Sequence, residues 1–445
     1  MTQATAILIF FLIYLITMML GFTPMIFSMG AAALAVPLFF SGISSFSVAD
    51  IASAFMTGAY GTNTGMTIIL FVLSGDIMSS GKISEKIFNI FAYFLGKRKG
   101  FMPILCILTA MFYGAISGSG PATTAAVGAM CFPVLVSLGY DKFFSAAILV
   151  AAGCLGVVIP PSVPVTGVSA LSGGLDLVVL YKLSAVVVGV ICGLMMIIYC
   201  FFYCLRNGNG DTMKINAWVD DLRSRGFGAI LKDSIWAILM PVIILGSIFS
   251  GLADTAQAAM LSLIYAIIVS VFIYKSIKPS EIVPLIIKSL RGGAGMLVLI
   301  AFSTVFSNAL TALDVSTLIT NFVNNAQIQP VIIIVIIIFY QLFMGMVGGP
   351  AGVTVVVPLT FPIILATGIE PFTAGIAMVL MHAAGMVTPP VGLCLFVMTG
   401  MAKCDVTDLI KPLIPYVVIM VAIALVLVLF PGLFSGIVAG GYIPS

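Results

Sequence analysis

The sequence predicts an all-α polytopic membrane protein, organised as an inverted repeat with two re-entrant hairpins and two broken helices. Three observations predict it. Hydrophobic residues make up 62% of the 445 and charged residues only 7%, against about 25% charged in soluble globular domains. Apolar runs of about 17–25 residues, the length that crosses a hydrocarbon core, recur from end to end. Two places load glycine, proline and hydroxyl residues into such runs, Ser117-Gly-Ser-Gly-Pro121 and Gly156-Val-Val-Ile-Pro-Pro161. Both return 229 residues later (349 − 120, 389 − 160), as Gly349-Pro350 and Pro389-Pro390. Broken helices at matched positions of two halves are the pattern of a secondary transporter.

The chain is expected to be one integral membrane domain over 1–445. Residues 4–20 follow Met1 without a basic stretch or a small-residue cleavage site, so they predict a membrane segment and not a signal peptide. Further segments fall near 25–40, 54–80, 87–113, 143–160, 178–205, 230–250, 256–275, 283–310, 330–345, 372–388 and 412–431. The first inverted repeat covers 51–205, with a hairpin near 114–137 and a broken helix at 143–162. The second covers 283–435, with a hairpin near 343–366 and a broken helix at 372–391. Each hairpin starts at a Gly-Pro pair, carries a proline at the same relative place (Pro133, Pro362) and ends at an acidic residue (Asp141, Glu370). Non-helical backbone at membrane depth survives only where protein or a water-filled cavity satisfies it. The same offset pairs Phe132 with Phe361, Gly139 with Gly368, Phe143 with Phe372 and Gly156 with Gly385.

Charge placement orients the copies. Lys97-Arg98-Lys99 precedes the first, whereas Ala326-Gln327-Ile328 before the second is uncharged. Arg206, Lys214, Arg223, Arg225 and Lys232, then Lys275, Lys278, Lys288 and Arg291, crowd the connecting loops, which the lysine and arginine bias places in the cytoplasm. The second copy then enters from the opposite face, Lys403 and Lys411 return to the cytoplasm, and both termini come out external. The connection 206–232, flanked by Trp218 and Trp236, is predicted as an amphipathic helix on the cytoplasmic surface. The net charge of +3 is too small and scattered to argue for nucleic acid.

Function is expected at the breaks, where a helix interrupted in mid-membrane leaves C=O and N–H groups free to coordinate ions or anions. The first set is Ser117, Gly118, Ser119, Gly120, Pro121, Thr123 and Thr124, facing Gly156, Val157, Pro160 and Ser162. The second is Gly345, Gly348, Gly349, Pro350 and Thr354, facing Gly385, Val387, Thr388 and Pro389. Carbonyl and hydroxyl oxygens suit a hard cation. Any one of these glycines or prolines also fits a packing or kinking role; the symmetric set favours a site. Asp76, Asp254 and Asp314 read as interfacial charges or caps, and Asn63 and Asn308 as interhelical hydrogen bonders. His382 reads as packing or hydrogen-bonding within the bundle, with the functional prior of an ionisable group in a membrane segment. The eight cysteines form no C-x-x-C pair, and most lie in apolar runs. No metalloprotease, P-loop or paired-aspartate motif is present, so an enzyme is not expected, and neither a cofactor nor ATP-driven transport by this chain alone.

Gly114-Ala-Ile-Ser-Gly-Ser-Gly-Pro-Ala-Thr-Thr-Ala-Ala125, Val158-Ile-Pro-Pro-Ser162 and Met386-Val-Thr-Pro-Pro-Val-Gly-Leu393 resemble signature segments of one family. It is the large membrane subunit of tripartite ATP-independent periplasmic (TRAP) transporters, the DctM/SiaM type of the ion-transporter superfamily. Leu70-Phe-Val-Leu-Ser-Gly-Asp-Ile-Met78 and Pro241-Val-Ile-Ile-Leu-Gly246 resemble it too, so the likeness runs from about Leu20 to about Pro431. The resemblance implies an elevator-type symporter in the cell inner membrane, coupling sodium ions to uptake of an organic anion, a carboxylate or acidic sugar. It implies two partners, an extracytoplasmic solute-binding protein and a small four-helix membrane subunit. On this reading sodium site 1 is Ser117, Gly118, Ser119, Gly120, Gly156 and Pro160. Sodium site 2 is Gly345, Gly349, Pro350, Val387, Thr388 and Pro389, and Ser119, Thr123 and Thr388 contact substrate. Two stretches depart from the family pattern: Val347-Gly-Gly-Pro350 has no Asp before the Pro, and Ala253-Asp-Thr-Ala-Gln-Ala-Ala259 stands where the family usually reads Thr-Pro-Thr-Glu-Ala-Ala. A stand-alone anion/sodium symporter or exchanger of the same superfamily, and a non-transporting membrane scaffold, remain the alternatives.

Overall fold

Helix is the one regular structure among the described residues, because backbone polar groups in lipid must be satisfied within their own element. The computed structural model describes residues 3–19, 25–39, 46–60, 63–80, 83–98, 100–208, 210–315, 317–318, 321, 325, 329–348, 352–439 and 441. Lys99, Ala326-Gln327-Ile328, Gly349 and Pro350 lie outside them, as does the side chain of Thr354.

The first half contains α1 (Gln3–Met19), α2 (Met25–Phe39), α3 (Val48–Tyr60), α4 (Asn63–Ser80), α5 (Ile83–Leu95), α6 (Phe101–Ser117) and α7 (Gly120–Ser137). It continues through α8 (Lys142–Cys154), a 3₁₀ turn (Leu155–Val157), α9 (Val163–Leu171), α10 (Leu177–Ser184) and α11 (Gly193–Asn207). After α12 (Thr212–Ser224), α13 (Phe227–Phe249), α14 (Thr255–Ile268) and α15 (Pro279–Ala312) come α16 (Pro330–Gly348) and α17 (Gly352–Ala366). The chain then runs through α18 (Pro371–Met386), α19 (Leu393–Ala402) and α20 (Val406–Leu429).

Five helices among the described residues are long and apolar enough to cross a membrane, and ten shorter apolar helices accompany them. One of the five, Leu177–Asn207, joins α10 to α11 through a π-helical stretch, Ala185–Cys192. Two predicted segments are divided. The stretch 54–80 falls into α3 and α4, and 87–113 into α5 and α6. In the second case Lys97 and Arg98 make charge too dense for a helix interior, and Gly100 turns the chain at φ 75°. The connection 206–232 is shorter than predicted, since α13 already starts at Phe227. Its helix, α12, is amphipathic as expected, with Ile215, Val219 and Leu222 buried on one stripe. That stripe docks on α5, where Trp218 meets Phe88 edge-on and Arg223 donates two N–H bonds to the Tyr93 carbonyl, at 3.0 and 2.8 Å.

The run α6–α10 recurs as α16–α20. Phe101, Lys142 and Leu177 start helices, and so do Pro330, Pro371 and Val406, each 229 residues on (330 − 101, 371 − 142, 406 − 177). The paired acids are caps: Asp141 accepts from the Phe144 N–H at 2.7 Å, and Glu370 from Phe372 and Thr373 at 3.0 and 2.6 Å. Both breaks contain a cis Pro-Pro bond, Pro160-Pro161 and Pro389-Pro390. The halves also interlock reciprocally. The helix after the second break, α19, packs on α7 and α8, and its counterpart α9 packs on α17.

Candidate functional site

The first break forms because two residues in succession refuse helix. Ser117 ends α6 as Gly118 turns left-handed (φ 60°, ψ 12°), its N–H closing on the Gly114 carbonyl at 2.9 Å. Ser119 is extended, and α7 restarts at Gly120 with Pro121 at its first positions. The turn is stitched by hydroxyls. Thr123 Oγ1 lies 2.7 Å from Ser117 Oγ and donates to the Ser119 carbonyl at 2.8 Å. Its side chain is wholly buried behind the turn.

The second strand of the site is the break between α8 and α9. Ser162 caps α9, accepting from the Val165 N–H at 3.2 Å and donating to the Val157 carbonyl, while Ser184 donates to the carbonyl of Val158. Two carbonyls released by the break are therefore already satisfied within the protein. Glycines let the two breaks touch. A Cβ on Gly118 would lie 2.7 Å from the Pro161 carbonyl oxygen, one on Gly114 2.7 Å from Gly156 Cα, and one on Gly156 2.5 Å from Thr123 Oγ1.

Ser117, Gly118, Ser119 and Gly120 line one cavity of about 100 Å³, closed by Val157 and Pro164. Gly156, Pro160 and Thr123 stand outside its lining. That volume holds an ion and its water better than an organic ligand, whose pockets run to about 300–1,000 Å³. Helix α4 supplies the remaining wall with Val72, Gly75 and Asp76, one face at i, i+3 and i+4. Asp76 is half-buried and is the one charged side chain in the lining. Sequence reasoning took it for an interfacial cap; it sits inside α4 and turns toward the cavity. The available signal was its place in Leu70–Met78, a segment that carried the family resemblance. The cap reading does hold for Asp254, which forms a capping box with Gln257.

The second break is built similarly but shares the first cavity only through Met386. Gly345 and Gly385 bring α16 and α18 into backbone contact, a Cβ on Gly385 lying 2.7 Å from Gly345 Cα. Val387 ends α18 and is buried; Thr388 Oγ1 donates to the Ala384 carbonyl at 2.6 Å. Thr388 and Pro389 are half-buried, and the Gly392 N–H reaches back to the Met346 carbonyl at 3.2 Å. His382 meets Gln341, its Nδ1 lying 3.1 Å from the amide nitrogen. Among the described residues no group of three or more histidines, cysteines or carboxylates is placed to hold a metal. Seven of the eight cysteines are buried.

The profile of a family described as "Tripartite ATP-independent periplasmic transporter, DctM component" matches residues 12–433. The isethionate TRAP transporter permease protein DctMQ of Oleidesulfovibrio alaskensis is 33% identical over 374 residues, 83% of this chain and 57% of that protein. The chain thus spans little more than half of that relative's length. The C4-dicarboxylate TRAP transporter large permease protein DctM of Vibrio cholerae is 30% identical over 440 residues, covering 94% of each. The crystal structure of the Alcanivorax borkumensis YdaH transporter superposes with a TM-score of 0.65 at 14% identity, covering 91% of this chain and 96% of that one. That likeness speaks to fold alone. With the match running over nearly its whole length, the chain belongs to the DctM family, the large permease component of TRAP transporters.

Proposed function

We propose that the chain is the permease of a sodium-driven TRAP symporter that takes up an organic anion, a carboxylate or acidic sugar, across the cell inner membrane. An extracytoplasmic binding protein delivers the anion, and a small four-helix membrane subunit completes the complex. The observation that carries this reading is the cavity at the first break, which Ser117–Gly120 and Asp76 line together in a space sized for an ion. A sodium ion there is neutralised by Asp76, leaving Ser119 and, across the second break, Thr388 to meet the anion. Thr123 joins them only when it releases the Ser119 carbonyl. A second ion at Gly345, Gly349, Pro350 and Val387–Pro389 relies on backbone oxygens alone. The two relatives above are named for isethionate and C4-dicarboxylates, both organic anions. The reciprocal packing of α9 on α17 and α19 on α7 supports both breaks moving as one body, as an elevator requires; the lysine and arginine placement is what supports inverted halves and external termini.

The test is uptake into proteoliposomes holding the permease with its small subunit, fed by the binding protein loaded with a labelled C4-dicarboxylate or isethionate. Uptake is expected to require an inward sodium gradient, and Asp76→Asn is expected to raise the sodium concentration needed by tenfold or more, about 1.4 kcal/mol. Uptake indifferent to sodium, and untouched by Asp76→Asn and Ser119→Ala, would refute the reading.

A further inference from the structure

We propose that a small charged cavity between α5, α12 and α13 binds the phosphate group of an anionic phospholipid. Helix α5 packs on both α12 and α13, and the three enclose a space of about 70 Å³. Lys86 and Asn89 line it from α5, Arg225 from just past the end of α12, and Asp233 and Ser234 from α13. That volume takes a phosphate group and not a whole organic ligand, whose pockets run to about 300–1,000 Å³. Adding 229 to 86 and 89 gives Val315 and Leu318, so the cavity is no part of the repeated breaks.

Both cations are held at the cavity with donors to spare. The Lys86 side chain is 20% exposed, its Nζ 4.2 Å from the centroid of the Tyr274 ring and 3.2 Å from Asp233 Oδ1. The Ser234 hydroxyl donates to the Lys86 carbonyl at 2.7 Å, which fixes α5 against α13 at this level. An ammonium carries three donors, so the carboxylate does not exhaust it. Arg225 approaches Asp221 through one nitrogen at 3.6 Å, too long for a hydrogen bond, and its planar fork stays available to an oxyanion. Asp233 is the one acid in the lining. The Asp233 and Asp221 side chains are 68% and 76% exposed, and water weakens ion pairs of that kind. A phosphate therefore shares Lys86 with Asp233 and draws Arg225 from Asp221. Residues 206–232 and 275–291 hold nine lysines and arginines against Asp211, Asp220, Asp221 and Glu281. That excess attracts anionic headgroups to this face.

The setting favours a lipid as the carrier of the phosphate. The lysine and arginine bias argues for the cytoplasmic side at this end of the molecule, the side on which anionic lipids give the membrane its negative surface. Ala229, Asp233 and Trp236 are exposed at i, i+4 and i+7, one face of α13 that leads away from the cavity. The helix continues, apolar, to Phe249 and is long enough to cross a membrane. Trp236 thus stands between headgroup and acyl chain, where an amphipathic indole is favoured. A soluble phosphate would meet the cavity alone, whereas a phospholipid meets both, with its headgroup between Lys86 and Arg225 and its chains along Trp236. An occupied cavity ties the amphipathic α12 to α5 and α13. None of this depends on which ion drives transport.

Trp218 and Trp236 are the two tryptophans of the chain, so Trp218→Phe leaves one reporter beside the cavity. That full-length protein is placed in phosphatidylcholine nanodiscs containing phosphatidylglycerol brominated on its acyl chains, and Trp236 fluorescence is read. Two cations at the membrane surface predict a preference of about tenfold, so about 10% brominated phosphatidylglycerol gives about half of maximal quenching. Brominated phosphatidylcholine at the same fraction is expected to give about one tenth. Lys86→Gln/Arg225→Gln is expected to bring the first value down to the second. Lys214→Gln/Lys232→Gln removes the same charge from the same face outside the cavity and is expected to leave the preference in place. Equal quenching by the two lipids overturns the proposal, and needs no change at the cavity, so a double variant that fails to fold leaves the test intact. A preference that survives Lys86→Gln/Arg225→Gln, or that both double variants abolish alike, also overturns it. In pure phosphatidylcholine, inorganic phosphate at constant ionic strength is expected to leave the melting temperature unchanged, whereas phosphatidylglycerol raises it. A phosphate shift as large as that of the lipid, and lost in Lys86→Gln/Arg225→Gln, assigns the cavity to a soluble phosphate and overturns the lipid. Sodium-independent uptake would refute the preceding section without touching these results.

Discussion

Gly118→Ala tests whether the two breaks of the first half form one site. Gly118 is left-handed, a conformation that costs an L-residue about 1–2 kcal/mol. Its added methyl would also stand 2.7 Å from the Pro161 carbonyl oxygen, a backbone atom that moves only if the α8–α9 break moves. Overpacking of that kind costs about 1–3 kcal/mol, so the total is about 2–5 kcal/mol. Gly251→Ala is the control, because Gly251 has φ 74° and nothing lies within 4 Å of its added Cβ. It carries the conformational cost alone, about 1–2 kcal/mol. Melting temperatures and SDS-titrated unfolding of both variants in one lipid measure the difference, about 1–3 kcal/mol in excess for Gly118→Ala. Equal destabilisation would mean that the contact with Pro161 yields freely, and that the breaks are not mechanically joined.

Two further outcomes follow from local bonding. Thr123→Val keeps the shape but removes the hydroxyl that bonds the Ser119 carbonyl and Ser117, and is expected to destabilise by about 1–3 kcal/mol, with Thr123→Ser restoring most of it in the same unfolding titration. Arg223→Ala deletes two charged N–H donors from the Tyr93 carbonyl and is expected to loosen α12 by about 1.5–3 kcal/mol; Lys97→Ala, which breaks only the half-exposed pair with Asp220, is expected to cost under about 1 kcal/mol, as hydrogen exchange over 212–224 would report.

Much of the fold was legible because its signals are local or repeated. Apolar length marks helices without knowledge of neighbours, and Asp141 and Glu370 act on N–H groups two or three residues away. The 229-residue offset was visible because glycine and proline are chosen by backbone geometry, and both halves required the same geometry. The illegible parts depend on contacts distant in sequence. Asp76 looks like any acid near a helix end until α4 turns it toward Ser117, 41 positions on (117 − 76). Residues 87–113 read as one segment on hydropathy, although Gly100 and the basic run divide them.

The inequality of the halves sharpens this point. At the first break Asp76 and the hydroxyl residues Ser117 and Ser119 line one cavity, and the glycines Gly114, Gly118 and Gly156 serve to bring the two chain breaks together. At the second, Gly345 and Gly385 keep the same close crossing, but Thr388 bonds its own helix and the ionisable group is His382 behind the break. The repeat preserves backbone geometry, and the reciprocal packing of α9 on α17 and α19 on α7 ties the two halves together, while the side chains around each break differ.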